Sequence, residues 1–169
     1  MPTLFLLRHA ASDADSSDSD HDRPLNQCGA DAAVWMGGYL ERIGVRPQRV
    51  LCSSARRALE TWSGLASVWS LEADRLAESD QLYLASTGEM LELLRQQPVD
   101  VESVLVIAHN PGTHELALML AGEGERDAYE RLRDQFPEAA LCELAFDCAW
   151  SELGPGAARL LRFAFAPFE

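Results

Sequence analysis

The sequence predicts an α/β fold in which a mostly parallel central sheet carries helices on both faces. One indication is the run at residues 3–7, which has no charge and contains four large apolar residues; residues 104–108 have a similar composition. Strands that are covered on both faces read as such continuous apolar runs. A second indication is that amphipathic helical patterns separate the apolar runs, which is the element order of βαβ units.

Length and composition are those of a globular chain. The 169 residues are 47% hydrophobic and 24% charged, which predicts one domain over residues 1–169 without a linker or a solenoid repeat. No apolar run is long enough to span a bilayer, and the N-terminus lacks the charged flank and the small-residue cleavage pattern of a signal peptide. The sequence therefore predicts a cytoplasmic protein.

The net charge of −13 restricts the choice of partners. Nucleic acids and anionic membranes require a basic surface, so neither is expected as the main partner. Any anion site must be a local positive island. No cysteine pair has CxxC or metal-finger spacing, so we expect reduced, structural thiols, with a reactive role for one of them left open. The four residues are Cys28, Cys52, Cys142 and Cys148.

The first predicted strand ends at Arg8 and His9. Successive strand side chains point to opposite faces, so the backbone must turn here if both residues face one ligand. Residues 13–22 are mostly serine and aspartate and predict a solvated loop. A second interpretation is an acidic rim that disfavours small polyanions and favours a protein substrate with basic surroundings.

The next predicted elements are a helix at residues 30–43, which Gly44 ends, and a short buried strand at residues 49–52. Ser53 or Ser54 is expected to cap the helix that follows. The periodicity of that helix continues through two tryptophans, and this favours a role in the core over contact with a cofactor. These residues are Trp62 and Trp69.

Arg56 and Arg57 fall in the first turn of this second helix. A cation there opposes the helix dipole. An anion shared with the neighbouring strand ends would explain the two arginines.

Residues 73–83 are ambiguous and fit a short strand followed by a loop. Residues 86–89 predict a capping box that opens a helix ending before Pro98. The strand at residues 104–108 ends, like the first strand, at a histidine, His109. Asn110 is expected to be the N-cap of the next helix, with Pro111 as its first residue.

Three segments complete the chain. Residues 123–136 predict a charged surface helix. Residues 141–146 and 160–165 alternate in polarity and predict two antiparallel neighbours at an edge of the sheet, separated by a turn region at residues 154–156.

The ends of three predicted strands carry the residues that suggest chemistry. The first strand ends at Arg8 and His9, the second at residues 53–57, which include Arg57, and the third at His109. In a right-handed βαβ arrangement these ends share one rim of the sheet, and Arg23 adds a third guanidinium. Arginine forks and helix amides match the oxygens of a phosphoryl group, so the set predicts a phosphate site.

His9 is the candidate nucleophile. A neutral imidazole attacks phosphorus without prior deprotonation if one ring nitrogen is free and the other holds its proton against a backbone carbonyl. Arg8, Arg57 and Arg23 would stabilise the charge of the transition state and keep the pKa of His9 low. His109, if protonated, would donate to an equatorial oxygen of the phosphoryl group.

Taken in order, five motifs resemble the histidine phosphatase superfamily and, within it, the small SixA-type phosphohistidine phosphatases. They are residues 6–10, 20–26, 53–61, 108–112 and 136–137. The resemblance implies a phosphoglycerate mutase-like three-layer sandwich. It implies that His9 forms a phosphohistidine intermediate, that Arg8, Arg57 and His109 complete the pocket, and that Arg23 touches phosphate. Arg56, at a less constrained position of the motif, is placed outside the pocket.

The sequence lacks a convincing motif for the carboxylate with which larger branches protonate an alcohol leaving group. Glu78, Asp80 and Glu89 lie in the right region, but none stands in such a motif. An alkoxide leaves poorly without a proton donor, whereas the nitrogen of phosphohistidine leaves easily once protonated. The absence favours phosphoramidate substrates, and a carboxylate from elsewhere in the chain would remove that preference.

We expect a phosphatase without cofactor or metal. The remaining histidines suggest no metal site: His21 is interpreted as solvated or loop-bracing, and His114 as a residue of the helix surface. The preferred substrate is a phosphohistidine on a protein, such as a histidine-phosphotransfer domain of a signalling relay. The alternatives are a small-molecule phosphomonoesterase and a non-catalytic phosphate-binding module. A mutase fits less well, because little of the chain is left for a substrate-specific cap.

Overall fold

Strands and helices alternate along the computed structural model, which describes residues 1–168. The strands of its single sheet are β1 (Thr3–Arg8), β2 (Arg49–Ser53), β3 (Leu76–Ser79), β4 (Ser103–Ala108), β5 (Ala121–Gly124), β6 (Leu141–Phe146) and β7 (Ala158–Ala164). The α-helices are α1 (Gln27–Arg42), α2 (Arg56–Ala66), α3 (Thr87–Arg95), α4 (Gly112–Leu120) and α5 (Arg126–Asp134).

The sheet has the order β3-β2-β4-β1-β6-β7-β5. Among these strands only β6 runs against the rest, because it pairs antiparallel with both β1 and β7 while the other pairs are parallel. The predicted α/β sandwich with a mostly parallel sheet is therefore confirmed. In β1, β2 and β4 the carboxyl ends lie side by side at one edge.

The two faces of the sheet each carry a hydrophobic core. Along β1, Leu4 and Leu6 pack on the face covered by α3, α4 and α5, whereas Phe5 and Leu7 pack on the face covered by α1 and α2. This alternation follows from the pleat of the strand. Burial on both faces explains why the sequence of β1 reads as one apolar run.

Several local predictions hold. The capping box at Ser86 and Glu89 opens α3, and Gly44 follows α1 with φ +72°, a left-handed value that glycine adopts without strain. Trp62 and Trp69 are both buried in the core, although Trp69 lies beyond the end of α2. All four cysteines are free, and burial raises the pKa of the Cys52 and Cys142 thiols.

The prediction for residues 123–136 is wrong at both ends. The helix spans only Arg126–Asp134, and Phe136 is a buried core residue beyond it. The segment before it forms β5, which pairs with β7, so β5 and not the predicted pair β6 and β7 forms this edge of the sheet. A Cβ at Gly122 would collide with the backbone of Gly156, so the close approach of β5 requires glycine there.

Two predicted helix caps are also wrong. α2 has Ala55 as its N-cap, and α4 begins at Gly112 with Pro111 as its N-cap, in both cases without a capping side chain. The polar side chains expected to cap them make tertiary hydrogen bonds instead. The Ser53 and Ser54 hydroxyls bind histidines, and Asn110 Nδ2 donates to the Phe136 carbonyl at 2.9 Å.

No helix in the described part of the chain combines the length and apolar character that a membrane crossing requires.

The central position of β1 gives a prediction about stability. Leu6→Ala removes a fully buried side chain of β1 and should lower the free energy of unfolding by about 2–5 kcal/mol, because a cavity remains. Leu161→Ala in β7 is the matched control; its side chain is 48% exposed, and we expect a loss of about 0.5 kcal/mol or less. Urea unfolding measures both values, and similar losses would contradict the central position of β1.

Candidate active site

The adjoining ends of β1, β2 and β4 bring two histidines together. His9 follows β1 and His109 follows β4, and their ring centroids lie 5.1 Å apart. Both residues are buried, with 7% and 3% of their surface exposed. The pairing of β1 with β4 continues one residue beyond the strands, because the His9 N–H donates to the Ala108 carbonyl at 3.0 Å.

The imidazole of His9 has a defined tautomer. Nδ1 lies 2.7 Å from the Ala10 carbonyl oxygen. Because a carbonyl only accepts hydrogen bonds, Nδ1 carries the proton and Nε2 keeps a lone pair. Nε2 faces Nε of Arg57 at 3.4 Å. This is the arrangement that a histidine needs in order to attack phosphorus.

Arg57 is held by a loop residue. Its side chain is 3% exposed, Nη1 donates to the Asp20 backbone carbonyl at 2.6 Å, and Nη2 donates to Asp20 Oδ2 at 3.2 Å. These acceptors satisfy the buried guanidinium in the first turn of α2, where the helix dipole opposes a cation. The remaining Nε donor is the one that faces His9.

In Arg8 and Arg23, as in Arg57, Nη atoms bind protein acceptors. Arg8 Nη1 donates to the Phe136 carbonyl at 3.1 Å, and Nη2 lies 3.6 Å from the Glu138 carboxylate. Arg23 Nη2 donates to Asp20 Oδ1 at 3.1 Å. In both arginines Nε is buried and has no hydrogen-bond partner. Each guanidinium is thus anchored at its tip and keeps one buried donor free.

His109 also keeps a buried donor. Its Nε2 lies 2.7 Å from Ser53 Oγ, and that hydroxyl oxygen already accepts the Ala55 N–H. When the Ser53 hydroxyl donates to Nε2, the proton of the neutral ring lies on Nδ1. Nδ1 is buried without a partner. His109 therefore has a proton to donate without being charged.

Burial and positive charge keep both rings neutral. Burial lowers the pKa of His9 to about 4; the hydrogen bond to Ala10 opposes this, and the charges of Arg57, Arg8 and Arg23 add to it. Burial and the proximity of His9 and Arg57 lower the pKa of His109 to about 3. The condition that His109 be protonated is thus unmet at neutral pH, and the neutral tautomer replaces it.

Two residues of the site were not predicted. Asp20 lies in the run expected to be a solvated loop; that run is largely exposed, but the Asp20 carboxylate contacts both Arg57 and Arg23. The Tyr83 hydroxyl donates to Asp20 Oδ2 at 2.5 Å, and its ring stands edge-on to His109 at 5.7 Å. Asp20 belongs to the motif at residues 20–26, but nothing in the local sequence indicates Tyr83.

Among residues 1–168, four of the candidates form no hydrogen bond with His9 or His109. Arg56 is exposed and pairs with Glu60 at 2.7 Å, which is consistent with its predicted place outside the pocket. Glu89 accepts the Ser86 N–H in the capping box, and this hydrogen bond lowers the pKa of its carboxyl. Glu78 and Asp80 are exposed.

The two other histidines brace loops and helices. His21 Nε2 lies 3.0 Å from Ser54 Oγ, so its loop-bracing interpretation is confirmed. The prediction that His114 lies on the helix surface is wrong, because its half-buried ring packs on Phe136 and Nε2 donates to the Leu132 carbonyl at 2.6 Å. No group of three or more potential ligand side chains among residues 1–168 is arranged to hold a metal ion.

Comparison with known sequences identifies relatives over most of the chain. Residues 4–140 match the profile of the histidine phosphatase superfamily (branch 1). The uncharacterized protein MT1313 of Mycobacterium tuberculosis is 35% identical over 159 residues, which cover 93% of this chain and 98% of that protein. The chloroplastic protein At3g52155 of Arabidopsis thaliana is 30% identical over 93% of this chain and 74% of its own length.

Solved structures share the fold. A Nakamurella protein that carries the name phosphohistidine phosphatase SixA superposes with a TM-score of 0.85 and 27% identity, over 99% of this chain and 97% of its own. A protein of the same name from Agrobacterium tumefaciens superposes with a TM-score of 0.79 and 26% identity, over 98% of this chain and 99% of its own. Phosphoglycerate mutase from Plasmodium falciparum is similar in fold alone. It superposes with a TM-score of 0.63 and 20% identity, over 99% of this chain and 95% of its own.

The low pKa of His9 predicts a specific dependence of stability on pH. The unfolded chain takes up a proton on this ring as the pH falls through 6.5, whereas the folded chain does so only near pH 4. The contribution of neutral His9 to the free energy of unfolding is therefore complete above pH 6.5. It is lost as the pH falls from 6.5 to 4, with a slope of about 1.4 kcal/mol per pH unit. His9→Asn should flatten the curve of unfolding free energy against pH by this amount. Parallel curves for the two proteins would refute the buried, neutral state of His9.

Proposed function

The chain belongs to the histidine phosphatase superfamily and is a phosphatase, and from this we propose that it hydrolyses phosphohistidine through an intermediate on His9. In the first step the phosphoryl group moves from the substrate to His9. In the second step it moves to water. Arg8, Arg23, Arg57 and His109 bind the phosphoryl oxygens during both steps.

The proposal depends on a set of buried donors that have no hydrogen-bond partner in the part of the chain the structure describes. Nε of Arg8, Nε of Arg23 and Nδ1 of His109 are buried without partners, and Nε of Arg57 faces the lone pair of His9. Leaving a buried donor unsatisfied costs about 1–3 kcal/mol, so these three unpartnered donors point to a ligand that accepts from them. A phosphoryl group offers the oxygens and the negative charge.

The proton positions suit both chemical steps. The lone pair of His9 Nε2 attacks phosphorus, a new N–P bond forms, and the P–N bond of the substrate breaks, releasing a neutral histidine when its ring entered with a proton. The proton stays on Nδ1 of His9 throughout, where it donates a hydrogen bond to the Ala10 carbonyl. When water attacks the phosphoenzyme, the N–P bond breaks and His9 leaves as the neutral ring it was at the start, while the proton of water passes to phosphate.

The charges stabilise the transition state. Phosphoryl transfer develops charge on three equatorial oxygens, and donors placed in advance lower the barrier without reorganising. The free Nε donors and the His109 Nδ1–H are of this kind. Because the arginine tips are already held by carbonyls and carboxylates, the donors need no reorientation when a substrate arrives.

The proton inventory of the site favours phosphoramidates over esters. Glu89 is committed to its capping box, and the residue that reaches the site from this segment is Tyr83. Asp20 is the carboxylate that contacts Arg57 and Arg23, but the hydrogen bond from Tyr83, together with these two arginines, lowers its pKa. The same bond raises the pKa of Tyr83. Neither group is therefore a good acid at neutral pH, and an alcohol would leave poorly.

We place the phosphohistidine on a protein, such as a histidine-phosphotransfer domain. Support comes from the SixA name of the neighbouring structures and from the exposed acidic residues beside the pocket, which favour a partner with basic surroundings over a small polyanion. Cytoplasmic location remains a prediction of the sequence.

Substrate preference is tested with a panel. A histidine-phosphotransfer domain phosphorylated on histidine should be turned over with a kcat/KM at least about 100-fold above that for an alkyl phosphate such as glycerol phosphate. His9→Ala should lose turnover of both by about 1,000-fold or more, and only the unchanged protein should form a phosphoenzyme that is labile to acid and stable to alkali. Equal turnover of the alkyl ester would indicate a phosphomonoesterase, and binding without a phosphoenzyme would indicate a binding module.

The position of the pocket is tested with two neighbouring arginines. Arg57→Ala removes the donor that faces His9, and kcat should fall by about 100–1,000-fold while the circular dichroism spectrum stays that of a folded chain. Arg56→Ala is the matched control, because Arg56 is exposed and forms an ion pair with Glu60. Its kcat should change by less than about twofold. Equal effects of the two substitutions would show that the pocket is elsewhere.

A further inference from the structure

One carboxylate connects two of the three arginines. Asp20 Oδ1 accepts from Arg23 Nη2, and Asp20 Oδ2 accepts from Arg57 Nη2. We infer that Asp20, supported by Tyr83, is a positioning residue that holds both guanidinium groups in the orientation required to bind phosphoryl oxygens. The inference rests on the proposed function of the pocket and assigns a role to residues outside its oxygen-binding set.

The first argument is the side of Arg57 that Asp20 occupies. A guanidinium offers two pairs of donors, one at the tip between Nη1 and Nη2 and one along the edge between Nε and Nη2. Asp20 takes the tip with its backbone carbonyl and its carboxylate, at 2.6 and 3.2 Å. The edge is left, with Nε 3.4 Å from His9 Nε2. The contacts with Asp20 therefore decide which side of Arg57 meets the phosphorus.

The second argument is that Arg23 is divided in the same way. Its Nη2 is bound to Asp20 Oδ1 at 3.1 Å, while its Nε is buried and unpartnered. Arg8 shows that such anchoring is general in this pocket, but its anchors are Phe136 and Glu138. Loss of Asp20 should therefore disturb two arginines and leave the third in place.

The third argument concerns how Asp20 itself is fixed. The Tyr83 hydroxyl donates to Asp20 Oδ2 at 2.5 Å, and the Tyr83 ring packs edge-on against the rings of His21 and His109. The residue after Asp20 ties the loop to the start of α2, because its carbonyl accepts the Arg56 N–H at 2.9 Å. The Tyr83 hydroxyl thus holds the Asp20 carboxylate, and the hydrogen bond from the Arg56 N–H holds the backbone next to it. This fixation is what a positioning role requires.

An opposite interpretation makes a different prediction. If Asp20 were only a competing anion on the arginines, its removal would free two guanidinium groups and strengthen the binding of any oxyanion. If Asp20 positions the arginines, its removal weakens binding even though the pocket becomes more positive. The two interpretations therefore differ in the sign of one measurement.

That measurement is the binding of tungstate, a tetrahedral dianion, by isothermal titration calorimetry. Asp20→Asn keeps the shape of the side chain but turns one of its oxygens into a donor facing an arginine. We expect its tungstate Kd to rise by about tenfold. Asp18→Asn is the matched control, since it removes the same charge from the same loop while its carboxylate binds Ser16. We expect its Kd to stay within about twofold. An unchanged or lower Kd for Asp20→Asn overturns the inference.

A double-mutant cycle tests the route of the effect. If Asp20 acts through the arginines it contacts, adding Asp20→Asn to Arg57→Ala should weaken tungstate binding by clearly less than it does in the unchanged protein. Equal effects in both backgrounds contradict the positioning role of Asp20 toward Arg57. Because binding is measured, the result does not depend on the substrate, and a failure of the proposed function would be seen separately in the turnover panel.

Tyr83→Phe provides a second variant that leaves the charge unchanged. It removes only the hydroxyl that donates to Asp20 Oδ2. We expect tungstate Kd to rise by about threefold with no comparable loss in thermal stability. If Asp20→Asn fails to fold, as judged by circular dichroism, this variant decides the question, and an unchanged Kd refutes the role of the pair.

Discussion

The hydrogen bond between His9 Nδ1 and the Ala10 carbonyl is the constraint on which the chemistry of this site depends. It places the proton on Nδ1 and leaves the lone pair on Nε2, which is the nitrogen that the proposed mechanism uses for attack on phosphorus. The position of the ring follows from the sheet, because the His9 N–H donates to the Ala108 carbonyl and so continues the pairing of β1 with β4. The Ala10 carbonyl then determines the tautomer.

The electrostatics of the pocket follow from the same arrangement. The chain carries a net charge of −13, yet three guanidinium groups surround His9. The Nη atoms of these arginines are bound by acceptors such as the Phe136 carbonyl and Asp20. Their positive charges still act on the imidazole and add to burial in lowering its pKa. The acidic chain therefore maintains a small positive region around His9.

The sequence predicts the parts of the site that are local and fails where contacts are distant. Arg8, His9 and His109 follow apolar runs directly, so their position at strand ends can be read from their neighbours. The bond between Tyr83 and Asp20 joins residues 63 positions apart, and no local pattern records it. The same limit applies to the fold: β5 contains two glycines and no apolar alternation, and it becomes a strand because β7 offers an unpaired edge.

The helix caps fail for a related reason, which connects fold and function. Ser53 is one of two residues that the sequence predicts as the cap of α2, but its hydroxyl forms a hydrogen bond with Nε2 of His109 at 2.7 Å. The α2 terminus therefore has no capping side chain, at a typical cost of about 1 kcal/mol. Two buried cores on either side of the sheet can offset such a loss. Ser53 therefore does not cap α2, because its hydroxyl is bound to His109 in the pocket.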